Sequence, residues 1–147
     1  MKTTSFEITP PPGHERVILV GHARVSRAER GTGREHLERS LDELALLADT
    51  AGATVADKLV QRRGTIHPAT FLGKGKVTEL KELAERCKAD VVIFDDDLSP
   101  AQVKNLEKLL ERKVIDRSEL ILDIFARRAR TRESRLQVEL AQLEDTL

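Results

Sequence analysis

From Gln61 to Lys76 the chain reads QRRGTIHPATFLGKGK, a stretch that holds Arg62, Arg63, Lys74 and Lys76 and no acidic residue. Gly73 and Gly75 let neighbouring backbone amides converge, and the helix expected from about Lys76 adds the partial positive charge of its N-terminus, a combination suited to phosphate. Only Gly73-Lys74-Gly75-Lys76 stands in front of that helix, with no Ser, Thr, Asp or Asn, so its first N–H groups lack a side-chain cap. The stretch is not a P-loop. The pattern G-x-x-x-x-G-K-[ST] would need Gly at position 70 and Ser or Thr at position 77, where Thr70 and Val77 stand. The same residues also read as a basic solvent loop with a glycine turn, and the two readings stay open.

A second basic cluster comprises Arg127, Arg128, Arg130, Arg132 and Arg135, with Glu133 as the acid among them. On a helix this spacing brings several guanidinium groups to one face, which suits the backbone phosphates of structured RNA or DNA and equally suits a solvated surface. It offers no base-specific reading. Asp95-Asp96-Asp97 resembles a metal or phosphoacceptor triplet, but a receiver-type site would also need acids after the first strand, where Gly21-His22 stand. Loop and capping duty is the reading favoured for these three acids. His14, His22, His36 and His67 are scattered, with no Cys, Asp or Glu at metal-ligand spacing beside them. No metal site is expected. No Ser-His-Asp or Cys-His set is legible either, so no catalytic residue is assigned and the chain is not expected to be an enzyme by itself.

Composition narrows the partners. The 25 Lys and Arg balance 25 Asp and Glu, so no global field draws the chain to nucleic acid or membrane and any electrostatic contact must be local. With no Trp or Tyr and four Phe, there is little with which to stack single-stranded bases. Cys87 falls in step with Val77, Leu80 and Ala84 on one helical face and reads as a buried structural thiol. The N-terminus has no apolar core of signal-peptide length, and no run approaches the roughly 20 apolar residues of a membrane span. A cytoplasmic location is expected.

The elements that must position these residues are an alternation of strands and helices. RVILVG (residues 16–21) and DVVIF (residues 90–94) are short apolar runs rich in β-branched residues, as strands covered on both faces are. ATVADKLVQRR (residues 53–63) and KVI (residues 113–115) are more mixed or very short, as edge strands are. Ser40-Leu41-Asp42-Glu43 reads as a capping box opening the first helix, which Gly52 closes, and Ser99-Pro100-Ala101-Gln102 reads as a second capping box. Residues 22–36, HARVSRAERGTGREH, read as a long mobile loop. The predicted fold is α/β, a four-stranded parallel sheet of order 2-1-3-4 flanked by helices, with right-handed crossovers and a ligand crevice where the order reverses. Residues 1–15, with Pro10 to Pro12, read as a disordered tail, 16–131 as the α/β domain, and 132–147 as the start of a coiled-coil-like helix. Leu136, Leu140, Leu143 and Leu147 recur at gaps of four and three with no stop signal after them, so a longer protein is expected, with a truncation-induced dimer through 132–147 as a consequence.

SLDELALLADTAGATVADKLVQRR, IHPATFLGKGKVTELKEL, FDDDLSPAQVKNLE and VIDRSELILDIFARRARTRESRLQVELAQLE, in this order, resemble the N-terminal region of the HflX family of GTPases. The resemblance implies a parallel α/β domain, then a pair of long antiparallel helices of which 132–147 are the beginning, then a GTPase domain using GTP and Mg. It implies binding to the large ribosomal subunit and its RNA, in splitting or rescuing stalled ribosomes under stress. The sequence departs from the family at Asp145, where an aromatic residue is usual, and it holds no GTPase domain or phosphate loop. On this reading the chain is a ribosome-facing module without bound cofactor, touching RNA through Arg62, Arg63, Gly73 to Lys76 and the arginines from Arg127 to Arg135. Two rivals are an ATP site with Gly73 to Lys76 holding the phosphates, and a regulator that docks on the protein's own GTPase domain.

Overall fold

A computed structural model describes residues 14–23, 33–62, 64–129 and 132 of the chain. The tail up to residue 13, the segment 24–32, Arg63, Arg130, Arg135 and the leucine stripe from Leu136 to Leu147 lie outside the described residues. So does the expected helical pair with its dimer.

The elements run β1 (Arg16–His22), α1 (Gly33–Thr50), β2 (Thr54–Gln61), α2 (Lys74–Cys87), β3 (Val91–Phe94), α3 (Pro100–Leu110) and β4 (Lys113–Asp116), followed by α4 over residues 117–129. The strands form one parallel sheet in the order β2-β1-β3-β4, as expected. The apolar runs of β1 and β3 are buried because both faces are covered. Val17, Leu19, Val91 and Ile93 point into one core with Leu37, Leu41 and Leu44 of α1 and Leu120 and Ile124 of α4. Ile18, Val20, Val92 and Phe94 point into the other with Val77 and Leu80 of α2 and Leu106 and Leu110 of α3. The period-two alternation of a strand thus divides one apolar run between two helical layers. Each fully buried side chain of this kind is worth about 1.5–3 kcal/mol. Cys87 is half-buried and packs against the second of these cores, the place its helical step implied.

The start of α1 differs from expectation. Ser40 does not cap the helix; α1 begins at Gly33, and residues 33–36, expected in the loop, are helical. The reason is Leu37, which lies one turn before Leu41 on the same stripe and is 1% exposed. Burying it extends the helix upstream, and local capping chemistry at Ser40 yields to tertiary packing. Gly52, at φ 88°, does end the turn that follows α1.

The start of α3 is as the sequence predicted. The Ser99 hydroxyl accepts from the Gln102 N–H at 3.1 Å, the Gln102 Oε1 accepts from the Ser99 N–H at 2.9 Å, and Pro100 occupies the first turn. Ser99→Ala is expected to cost about 1 kcal/mol, read as a lowered urea midpoint with unchanged slope, whereas a loss of only a few tenths would show that Gln102 holds the helix start alone. No helix among the described residues is long and apolar enough to cross a membrane.

Candidate functional site

The described candidates of the central stretch, Arg62 and Gly73 to Lys76, gather at the carboxyl edge of the sheet, where the order reverses between β1 and β3. A crossing segment, residues 64–73, divides this edge into two clefts. It makes a tight turn in which His67 and Phe71 exchange backbone hydrogen bonds of 3.1 and 2.8 Å. Phe71 sits at φ 64°, a left-handed conformation that a bulky residue adopts only when its surroundings hold it there. They do so here: its ring meets His22 and Phe94 edge-on at centroid distances of 5.7 and 5.8 Å. From α3, Gln102 Nε2 donates to the His67 carbonyl and Asn105 Nδ2 to that of Ala69, both at 2.9 Å.

The first cleft, of about 540 Å³, is lined by Gln61, Arg62, Gly64, His67, Gly73, Gly75 and Lys76, among others. Gln61, the last residue of β2, is 6% exposed. Its Oε1 accepts from the Gly73 N–H at 2.9 Å and its Nε2 lies 3.1 Å from His22 Nε2, so one buried amide ties the glycine turn to two strand ends. Gly73 occupies the N-cap of α2 without a side-chain cap. Lys74 is exposed beside it, and Lys76 reaches Glu79 at 3.2 Å. Arg62 and Gly73, eleven residues apart in sequence, are thus neighbours around an uncapped helix start.

The second cleft, of about 580 Å³, lies on the other side of the turn and is lined by Ile66, Phe71, Asp95, Asp96, Asp97, Gln102, Arg117, Ser118 and Ile121. Arg117, at the start of α4, is its hub. Nη1 donates to Asp95 Oδ1 at 2.8 Å and to Ser40 Oγ at 3.1 Å, and Nη2 donates to Glu43 Oε1 at 3.0 Å. Ser40 in turn donates to Asp95 Oδ2 at 2.5 Å. Of the triplet, Asp97 ties the turn to α4 by accepting from the Ser118 hydroxyl at 2.8 Å, while the capping expected of these acids falls to Asp116. Asp116 caps α4 through the Glu119 N–H and holds the Leu98 N–H, both at 3.0 Å. Asp96 is different. Burial, reinforced by the charge of Asp95, pushes its carboxyl up to about 7 from 3.8, against the pull of a hydrogen bond from the His22 backbone.

Of the second basic cluster, Arg127 stands apart from both clefts. Arg127 donates to the Ala51 carbonyl at 2.9 Å and pairs with Asp123 at 2.9 Å. Ala51 lies between α1 and β2, at the amino edge of the sheet and on the layer of α1 and α4. Arg62 and Lys76 lie at the carboxyl edge beside α2, away from this contact. Arg128 and Arg132 are exposed. Sequence reasoning singled out neither Gln61 nor Arg117. The only signal for them was a buried-type Gln ending an edge strand and an Arg directly after a short strand.

Residues 38–126 match the family model described as GTP-binding GTPase N-terminal. The chain belongs to the N-terminal domain family of HflX GTPases. It is similar to the GTPase HflX of Lacrimispora saccharolytica, 53% identical over 129 residues that cover 88% of this chain and 29% of that protein. The GTPase HflX of Escherichia coli is 52% identical over 103 residues, covering 70% of this chain and 24% of that protein. The chain therefore spans less than a third of the length of these HflX relatives. Among solved structures, the crystal structure of SsGBP and GDP complex superposes with a TM-score of 0.59 at 21% identity, covering 88% of this chain and 34% of that one. That likeness concerns the fold.

Proposed function

We propose that this HflX-type domain is a ribosome-facing module that binds RNA of the large ribosomal subunit through phosphate contacts at Arg62, Lys74, Lys76 and the glycine turn. The observation that carries this reading is the first cleft, where Arg62 and Lys76 flank the uncapped amides of α2 and no acid is among the lining residues. Arg128 and Arg132 form a second, separate contact. In the whole protein, the GTPase domain supplies GTP and Mg chemistry in the cytoplasm, ribosome splitting or rescue is the outcome, and this domain positions it on its target.

Salt dependence tests the proposal. Each neutralised phosphate contributes about 0.9 to the log–log slope of affinity against salt on duplex DNA. Replacing Arg62, Lys74 and Lys76 with Ala together should flatten the slope for large-subunit binding by about 2–3 and leave the melting temperature nearly unchanged. An unaltered slope removes the first cleft from the interface. Calorimetry with ATP separates the rival reading, since a phosphate cradle for a free nucleotide would give binding heat that the triple substitution abolishes.

A further inference from the structure

The second cleft contains a carboxyl group that its neighbours do not account for. Among the described residues, Asp96 Oδ2 is the buried side-chain atom left without a hydrogen-bond partner. The other acids of this corner are engaged: Asp95 with Arg117 and Ser40, Asp97 with Ser118, Asp116 with the amides of Leu98 and Glu119. A neutral carboxyl tolerates such a place because it brings no charge out of water. An ionised one does not.

The groups around Asp96 decide where its charge could go. β1 contributes His22, fully buried and bonded through its ring to Gln61. The β3–α3 turn contributes Asp95 and Asp97, both of which repel a second negative charge. From α4 comes Arg117, backed by Ser40 and Glu43 of α1; α3 contributes Gln102, and β4 ends at Asp116. The guanidinium of Arg117 already serves Asp95 and Glu43. An ionised Asp96 must therefore compete with Asp95 for Arg117 or turn out into the cleft. Either movement displaces the 95–97 turn, which Ser118 fastens to the first turn of α4.

We infer that Asp96 is a proton-operated latch on the cleft between β1 and β3: neutral, it lies shut beneath the His22 strand end; ionised, it swings out and loosens the grip of the 95–97 turn on α4. Its burial sets the changeover in the neutral range, so a small shift in local pH would work it.

Carbon and nitrogen NMR of the full chain between pH 5 and 9 tests this. In the wild type the Asp96 carboxyl carbon, the Ser118 and Glu119 amides and the Arg117 Nε–H should all move with one midpoint near 7. Asp96→Asn should remove that midpoint from the Ser118, Glu119 and Arg117 signals. Asp97→Asn should keep it, moved to lower pH because a repelling charge is gone. The latch is overturned if the Asp96 carbon titrates in the ordinary carboxylate range, or if it titrates near 7 while the signals of Arg117, Ser118 and Glu119 stay flat. The wild-type titration alone distinguishes these outcomes should the Asn variant fail to fold.

Discussion

Arg117→Ala is expected to cost the domain about 3–5 kcal/mol, the usual loss when one partner of a buried ion pair is removed. The Asp95 side chain is 3% exposed and that of Arg117 26%, so the carboxylate depends on the guanidinium far more than the reverse. With Ala at 117, Asp95 keeps one hydrogen bond from Ser40 and carries an uncompensated charge inside the layer formed by α1, β3 and α4. The link to Glu43 contributes little, because that end is open to water and screened. A domain of this size has about 5–15 kcal/mol in total, so the variant should be close to unfolding at 37 °C. Urea denaturation provides the measurement. Arg117→Lys keeps the charge but cannot fork to Asp95, Ser40 and Glu43 at once, and should recover only part of the loss. Adding Asp95→Asn to Arg117→Ala should restore more than Lys does, since the stranded charge is then gone. A cost below about 1 kcal/mol for Arg117→Ala would mean that water reaches Asp95 and that the network is a surface feature.

Asp96→Asn is expected to stabilise the domain at pH 8 by about 2 kcal/mol and to do little at pH 3. The sign follows from proton binding. Folding raises the Asp96 carboxyl from 3.8 to about 7, so between these values the native state holds a proton that the unfolded chain has released. Stability from this group therefore falls as pH rises through that window, and the penalty is complete above about 7. At 1.36 kcal/mol per unit the full shift would amount to about 4 kcal/mol, and solvent screening lowers this to about half because Asp96 is only partly buried and faces an open cleft. Asn keeps the shape and cannot ionise, so the difference between the two proteins isolates this group from other carboxylates. Equal stabilities of wild type and Asn variant at both pH values would refute a strained, proton-holding Asp96.

Much of the architecture was legible in the chain itself. The runs RVILVG and VVIF can be buried only with both faces covered, and the helical stripes between them require crossovers, so a parallel sheet with its reversal between β1 and β3 follows from local chemistry alone. The capping box at Ser99 was legible for the same reason: every group it needs lies within four residues. The uncapped start of α2 and the acid-free stretch before it were equally visible.

Tertiary structure decided whatever depends on neighbours far apart in sequence. Ser40 looks like a helix cap by its local pattern, but Leu37 gains more by entering the core than a cap at Ser40 would provide, and this frees the hydroxyl for Asp95, fifty-five positions away. Arg117 is one Arg among many until folding sets it between Asp95 and Glu43. Gln61 becomes a clamp only because β2 ends beside the turn at Gly73. The three acids from Asp95 to Asp97 are alike in sequence and unlike in the fold: one paired, one with an oxygen left unpartnered and one bonded to Ser118. Charge and periodicity are written residue by residue, whereas desolvation and pairing are properties of the space that packing leaves around each group.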